Sequence, residues 1–231
     1  MLLHGCTKPL PPTYGNILRM GDMLTYTAHR ALLPGQSLVK EYSLRDISSF
    51  PATGSTNPSD PGKSYVVSEA YSRFLKNSFS DWKLSIEGRV ARPVAYSLSD
   101  LQSFPARKQI TRHTCEEGWT AIAEWTGVPL SLVLTNAGVM PTARFVNFYS
   151  YDGVIESIDM MDAFHPQTIL AYSMNERELP VQHGAPLRLR VERQMGYKSM
   201  KYVQRIAVVS EFDDGGMKGS IQNGWAWYTG I

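Results

Sequence analysis

The last two thirds of the chain are built from short runs of alternating apolar and polar residues, and this pattern constrains the fold most. From residue 82 onward these β-forming runs are interrupted at irregular intervals by short helical patterns. The pattern over 129–137, for example, has Pro129 in its first turn and Gly138 as its stop signal. Strands mixed irregularly with short helices argue against a doubly wound parallel sheet. The sequence therefore predicts an α+β fold with mixed β-sheets and short helices.

The same patterns give the order of the elements. We expect strands over 83–87, 107–113, 144–149, 187–191 and 202–209, a hairpin joining 168–172 to 178–181 through Asn175, and a capped helical turn over 97–101. The first part of the chain differs, with a helix predicted over 16–33 and a Pro/Gly/Ser-rich loop over 50–64. We therefore divide the chain into an N-terminal arm and helix (1–44) and a main domain (45–231).

Composition excludes several classes of protein. The 231 residues are 43% hydrophobic, which permits a sizeable core, and no apolar run approaches the roughly 18 residues that span a membrane. The net charge is 23 − 21 = +2, so a generally basic nucleic-acid binder is excluded. The two cysteines, Cys6 and Cys115, are too few for a zinc ribbon or a disulfide framework. Residues 1–6 fit either an ordinary chain start or the end of a leader before a lipid-bearing Cys6.

The first chemically suggestive segment spans residues 111–119 and contains Arg112, His113 and Cys115. A thiol that follows two basic residues sits in a locally electropositive setting, which favours the thiolate, a nucleophile and a ligand for soft metals. A buried structural cysteine and a Cys-His hydrolase are the alternatives.

The second segment is rich in basic residues. Between residues 188 and 205 a single acid, Glu192, accompanies six bases: Arg188, Arg190, Arg193, Lys198, Lys201 and Arg205. Two strands joined through 196–198 would gather these side chains at one end, where they could bind a buried phosphate. A solvated basic edge strand is the alternative.

Two further segments favour structural roles. Residues 159–167 hold Asp159, Asp162 and His165, an incomplete ligand set for zinc, and Asp162 is expected to cap a turn. The aromatic residues over 224–231 are expected to pack on the domain or to line a pocket.

Read together, the two chemically suggestive segments resemble one family, the sulfite oxidase superfamily of molybdopterin-dependent oxidoreductases. RHTCEEGW (112–119) with WTGVPL (125–130) resembles its molybdenum-cysteine segment, and HGAPLR (183–188) with GYKSMK (196–201) resembles its pyranopterin-binding segment. The motifs stand in the family's order, about 70 residues apart. The resemblance covers roughly residues 45–231.

The resemblance implies an α+β domain around one molybdenum-molybdopterin cofactor, with Cys115 as the molybdenum ligand. It implies cofactor contacts from one set of residues: Thr53, Cys115, Ser150, His183, Arg188, Ser199, Met200 and Lys201. Thr53 stands where relatives have an asparagine, which removes an amide from that contact. Arg112 or His113 could offer positive charge to an anionic substrate or oxo group, but neighbouring strand residues face opposite sides, so only one of them reaches the site.

The resemblance also implies an activity and partners. We expect two-electron oxygen-atom transfer, with reduction of a sulfoxide or similar oxo compound as the first choice and sulfite-type oxidation as the second. An electron-relay module without turnover is the alternative from another class. The implied architecture is a single-domain, reductase-like monomer that exchanges electrons with a separate haem or flavin protein, soluble or membrane-bound. The implied location is the periplasm or the periplasmic side of the membrane.

Overall fold

The computed structural model describes residues 12–49, 57–64, 66–212 and 224–231. Its helices are α1 Pro12–Leu32, α2 Glu69–Lys76, α3 Leu98–Ser103, α4 Leu130–Ala137 and α5 Met160–Ala163. Its strands are β1 Lys83–Gly88, β2 Val94–Ser97, β3 Arg107–Thr114, β4 Thr120–Pro129, β5 Phe145–Ser150, β6 Ile155–Asp159, β7 Ile169–Met174, β8 Arg177–Glu178, β9 Arg188–Arg190 and β10 Val203–Val209.

The strands form two sheets. The first has the order β2-β1-β10-β5-β6; β1 and β10 run parallel, with Ser85 opposite Arg205, and the other neighbours are antiparallel. The second is antiparallel, with the order β3-β4-β7-β8, and β9 pairs with β7 through Leu170 and Leu189. Mixed sheets joined by short helices confirm the predicted α+β class.

One continuous core joins the two sheets. Buried apolar side chains of the first sheet, such as Ile86 and Phe148, share a cluster with Leu134 of α4 and with Leu170 and Leu189 of the second sheet. A smaller cluster surrounds Trp125 of β4 on the second sheet. Burial of large apolar side chains is the main favourable term in holding such sheets together.

Local signals explain where the short helices begin and end. Ser97 caps α3 by accepting the N–H of Asp100, while the Asp100 carboxylate accepts the N–H of Ser97. Helix α4 follows Pro129 and ends at Gly138, whose φ of 73° is left-handed and suits glycine. The hairpin from β7 to β8 turns through Asn175 and Glu176, both at positive φ, as the position of Asn175 predicted.

Helix α1 is attached to the rest of the chain by a buried ionic contact. The Nη2 of its Arg30 lies 2.9 Å from both Asp159 Oδ2 and Asp162 Oδ2, and the guanidinium carbon lies 5.1 Å from the centre of the Tyr26 ring and 5.0 Å from that of Tyr228. The cap of α5 is Asp159, which accepts the N–H of Asp162, so the expectation that Asp162 caps the turn is wrong although both acids have structural roles. Helix α1 begins at Pro12, earlier than predicted, and the division at residue 44 stays a prediction. None of the described helices combines the length and apolar character that a membrane span requires.

Candidate functional site

A cavity of about 340 Å³ opens beside the second sheet and is lined by both chemically suggestive segments. We call it the Cys115 cavity. Its wall includes His113, Cys115, His183, Arg188, Ser199 and Lys201. Residues about 70 positions apart in sequence therefore meet here, because β9 lies beside β7 in the sheet that also contains β3 and β4.

The turn between β3 and β4 carries Cys115. The Cys115 N–H donates to the Trp119 carbonyl at 2.9 Å, and Gly118 completes the turn at a φ of 89°, a conformation that suits glycine. The Cys115 side chain is buried, and its Sγ donates to Glu116 Oε2 at 3.5 Å. Burial raises the pKa of the thiol to about 12, and the Glu116 and Glu117 carboxylates add to this although the Glu117 N–H opposes it. The expected electropositive setting is therefore corrected: without a metal, Cys115 is a protonated thiol.

The pleat of β3 decides between Arg112 and His113. Arg112 is exposed, its guanidinium lies 6.0 Å from the centre of the Tyr42 ring, and it does not line the Cys115 cavity. His113 points the other way, lines the cavity and lies with its Nδ1 2.9 Å from Arg190 Nη1. The expectation that Arg112 acts at the site is corrected on this geometry, which selects His113.

Two arginines of β9 lie over the ring of Trp125, at 5.1 Å for Arg188 and 4.5 Å for Arg190. They differ in whether a carboxylate neutralises the charge. Arg190 makes a buried two-pronged pair with Glu192, at 2.9 and 2.8 Å. Arg188 lines the cavity and donates through Nη1 to the His183 carbonyl, while its buried Nε has no hydrogen-bond partner among the described residues.

The basic groups of the cavity wall depress one another's pKa. Burial and then the charge of Arg190 lower the pKa of Arg188 to about 9. Burial and then Arg188 lower the pKa of Lys201 to about 7, and burial with Arg188 and Lys201 lowers that of His183 to about 4. A buried positive cluster of this kind is stabilised by an anion. Its orphaned Arg188 Nε and its two basic neighbours therefore fit a phosphate-bearing group.

The other basic residues of the segment are held elsewhere, which corrects the expectation that all six gather around a phosphate. Lys198 is buried against Glu156 at 2.8 Å, and Arg205 pairs with Glu87 on the first sheet. Arg193 donates to the Gly35 carbonyl at 3.0 Å. The alternative of a solvated edge strand is also wrong, because Arg188 and Arg190 are both buried.

The segment 196–201 closes the cavity wall through its backbone. A Cβ at Gly196 would lie 2.4 Å from both Cε1 and Nε2 of His113, so only glycine permits this approach. Ser199 Oγ accepts the Val191 N–H at 3.2 Å, and Met200 lines the cavity beside it. Ser150 is not among the residues that line the cavity; its hydroxyl donates to the Lys201 carbonyl at 2.9 Å, and its direct contact with the cofactor stays a prediction.

Some predictions lie outside this geometry. Thr53 falls outside the described residues, and its contact stays a prediction. Over the described part of the chain, no three His, Cys, Asp or Glu side chains are grouped as a metal site would require. Two of the C-terminal aromatics, Trp227 and Tyr228, pack as expected against Tyr26 of α1, whereas Trp225 is 41% exposed.

The contact between His113 and Arg190 and the position of the Trp125 ring beneath the two arginines were not predicted from the sequence. The spacing of Arg190 and Glu192 on one face of an extended chain was the available signal for their ion pair.

Comparison with known proteins agrees with this geometry. The chain is 36% identical over 151 residues to a putative protein-methionine-sulfoxide reductase subunit, YedZ1, of Azospira oryzae, covering 65% of this chain and 56% of that protein. It is 30% identical over 168 residues to the protein-methionine-sulfoxide reductase catalytic subunit MsrP of Pseudomonas syringae pv. tomato, covering 65% and 50%. The chain thus spans about half the length of the curated relatives it matches.

A solved structure and a family model extend the comparison. The sulfane dehydrogenase SoxCD of Paracoccus pantotrophus superposes with a TM-score of 0.54 at 26% identity, over 57% of this chain and 39% of that one. The model described as the oxidoreductase molybdopterin binding domain matches residues 72–217, well over half of the chain. The predicted resemblance is confirmed: the chain belongs to the oxidoreductase molybdopterin binding domain family.

Proposed function

We propose that this chain is a molybdenum-molybdopterin oxidoreductase that reduces a sulfoxide or a similar oxo compound with electrons from a separate partner. The observation that carries the proposal is the meeting of Cys115 with Arg188, His183 and Lys201 in one cavity. A single soft-metal ligand opposite a buried basic cluster suits a metal held on an anionic organic carrier. The names of the reductase relatives support the direction of the reaction.

Each cavity residue has a part in holding the cofactor. The Cys115 thiolate would bind molybdenum, and Arg188, Lys201 and His183 would bind the phosphate end of the pterin together with the segment that contains Ser199 and Met200. When bound, the cofactor supplies two-electron oxygen-atom exchange. Metal binding requires the thiol proton to leave, and the carboxylate of Glu116, 3.5 Å from Sγ, can accept it.

The apolar part of the cavity lining suits a thioether or sulfoxide. It includes the apolar side chains of Ile122, Val154 and Met174, which can exclude water from a methylthio group. Reduction of a sulfoxide to a sulfide and water consumes two electrons and two protons. Glu117, an exposed carboxylate whose Oε2 accepts from Trp119 Nε1 at 2.8 Å, can pass protons from solvent into the cavity.

Sulfite-type oxidation is the second candidate, and one observation favours it. Arg188 and Lys201 make the cavity cationic, which suits an anionic sulfur substrate as well as a cofactor phosphate. The SoxCD neighbour, a sulfane dehydrogenase, is consistent with oxidation in this fold. An electron-relay module without turnover uses the same site, and the two assays below separate it from both reactions.

The partners follow from the same proposal. A separate haem or flavin protein would supply electrons, and the location would be the periplasm. No nucleic-acid partner is proposed; within the basic segment, Arg190, Lys198 and Arg205 are each paired with a carboxylate. A monomer is the proposed state.

Metal analysis and two assays test the proposal. Purified protein should contain about one molybdenum per chain and reduce methionine sulfoxide with a dithionite-reduced viologen dye, while sulfite oxidation coupled to ferricyanide stays slower. Cys115→Ser should lose the metal and at least 100-fold in activity, since it removes the only protein-derived ligand proposed, yet stay folded. Cys6→Ser is the matched control and should keep both.

Molybdenum in the protein but no turnover in either assay would support the electron-relay module instead. Full activity in Cys115→Ser would contradict the ligand assignment and with it the proposed function.

A further inference from the structure

The imidazole of His113 is held by an arginine that can only donate. Arg190 uses Nε and Nη2 for the two oxygens of Glu192 and turns Nη1 to His113 Nδ1 at 2.9 Å. A guanidinium has five N–H donors and no acceptor, so Nδ1 must accept this hydrogen bond. The nitrogen Nδ1 therefore carries no proton, and the proton of the neutral ring is on Nε2.

The side chains that hold the imidazole of His113 are buried and hydrogen-bonded to one another. The side chains of Arg190 and Glu192 are each 1% exposed. Gln109 Nε2 donates to Glu192 Oε1 at 3.0 Å, which ties the carboxylate to β3 as well as to the arginine. Since both ends of the pair are satisfied in a dry interior, the guanidinium is held rigidly beneath the imidazole.

The ring itself is also held in orientation. Trp119 lies beside it, with the ring centres 5.7 Å apart, and the backbone of Gly196 packs against its Cε1–Nε2 edge. Both His113 and Gly196 line the Cys115 cavity, whose wall also includes Arg188 and Lys201. A neutral imidazole with its proton on Nε2 can therefore offer an uncharged N–H donor beside these cationic groups.

We infer that Glu192 and Arg190 are positioning residues that fix His113 as an Nε2–H donor to an oxygen acceptor bound in the Cys115 cavity. The inference rests on the proposed function, since the acceptor is an oxygen of the bound cofactor or of the oxo substrate. A neutral donor binds such an oxygen without adding a further charge to the cluster. The arrangement favours a group whose oxygen is exposed towards the β3 side of the cavity.

The tautomer can be measured without turnover. In full-length protein labelled with ¹⁵N in its histidines, the His113 ring should show an unprotonated Nδ1 and a protonated Nε2, with the signal assigned by its loss in His113→Gln. Arg190→Lys and Glu192→Gln should each move the ring towards a mixture of tautomers. A protonated Nδ1 in the unmodified protein overturns the inference, whatever the outcome of the activity assays.

The acceptor is identified with the molybdenum-loaded protein. The Nε2–H signal should shift when the cofactor is loaded if the cofactor carries the acceptor, and only on addition of dimethyl sulfoxide if the substrate does. No shift in either case overturns the inference.

Two substitutions of His113 distinguish hydrogen-bond donation by Nε2 from a purely structural role of the side chain. Asparagine places an acceptor near Nδ1 for Arg190 but has no group at Nε2, whereas glutamine can place an N–H near Nε2. We expect His113→Asn to lose at least about 10-fold in kcat/KM for methionine sulfoxide relative to His113→Gln, at equal molybdenum content. Equal losses in the two variants would overturn the inference.

Discussion

At the scale of single residues, the buried arginines differ in whether a carboxylate neutralises them. Arg190 has Glu192 at 2.8 Å, whereas Arg188, two residues earlier on the same strand, has a buried Nε without a hydrogen-bond partner among the described residues. A buried unsatisfied donor costs about 1–3 kcal/mol. The site therefore holds a charge that only a bound anion satisfies.

The two arginines predict opposite results in cofactor-free protein. Arg188→Met should stabilise it by about 1 kcal/mol, since it removes an unsatisfied buried cation. Arg190→Met should destabilise it by about 3–5 kcal/mol, because it leaves Glu192 as an unpaired buried carboxylate. Urea unfolding of protein from molybdate-starved cells measures both free energies.

Once the cofactor is present, Arg188→Met should be unfavourable instead of favourable. In cells given molybdate, Arg188→Met should retain less than about a tenth of the normal molybdenum, because a lost charge-assisted contact costs about 1.5–3 kcal/mol. An Arg188→Met chain that is less stable without cofactor, or that keeps its full metal content, would contradict the assignment of Arg188 to the anion.

Sequence could predict the segment that carries the cations but not which of them serve the site. Glu192 stands beside Arg190 in the sequence, whereas the partners of Lys198 and Arg205, Glu156 and Glu87, come from β6 and β1. Such pairings depend on the sheet order. The raised pKa of Cys115 could not be predicted from its neighbours Arg112 and His113 either, because burial of the thiol is its main cause and the carboxylates of Glu116 and Glu117 add to it.

At the scale of elements, α1 and the C-terminal segment 224–231 support the segment that lines the Cys115 cavity. Residues 193 and 195 are hydrogen-bonded to Ile231 and Thr229, and the Tyr197 hydroxyl donates to the Ala226 carbonyl at 2.6 Å. Helix α1 packs on the same C-terminal segment through His29 Nδ1, which lies 3.2 Å from the Tyr228 hydroxyl. The helix is thus one layer removed from the cavity.

Arg30 makes the buried ionic contact that attaches α1 to the rest of the chain. We expect its removal to detach the helix while both sheets stay folded. Arg30→Met leaves the buried carboxylates of Asp159 and Asp162 unpaired, which we expect to cost about 3–5 kcal/mol. Hydrogen exchange should then speed up in α1 far more than in β5 or β10. The exposed Arg45 provides the control, since Arg45→Met should change stability by under about 0.5 kcal/mol. Unchanged exchange in α1 would show that apolar contacts alone hold it.

Element boundaries were predictable where a local signal ends the element. The capping box of Ser97 and Asp100 and the stop at Gly138 gave α3 and α4 nearly as found. The alternation in β9 was misleading, because its arginines are not exposed to solvent but lie over the ring of Trp125, which belongs to β4 on the far side of β7. Burial on both faces is a property of the sheet stack, which a single strand does not encode.

At the scale of the whole molecule, the core and the cavity lie in different parts of the structure, although Met200 belongs to both. The core joins both sheets through α4, whereas the Cys115 cavity lies where β3, β4 and the segment 183–201 meet. We therefore expect the secondary structure to be unchanged without the cofactor, but the free energy of unfolding to be lower.

Growth without molybdate tests this separation. A group that binds only the folded chain, at about 1,000 times its dissociation constant, stabilises it by about 4 kcal/mol. At about 2–4 °C per kcal/mol for a protein of this size, the cofactor-free chain should melt about 8–16 °C below the loaded one, with the same far-ultraviolet circular dichroism spectrum. In Arg188→Met the two preparations should melt within a few degrees of each other, because neither holds the anion firmly. Equal melting temperatures for the loaded and starved unmodified chain would mean that the cofactor contributes no stability through this cavity, and that its basic wall serves another anion.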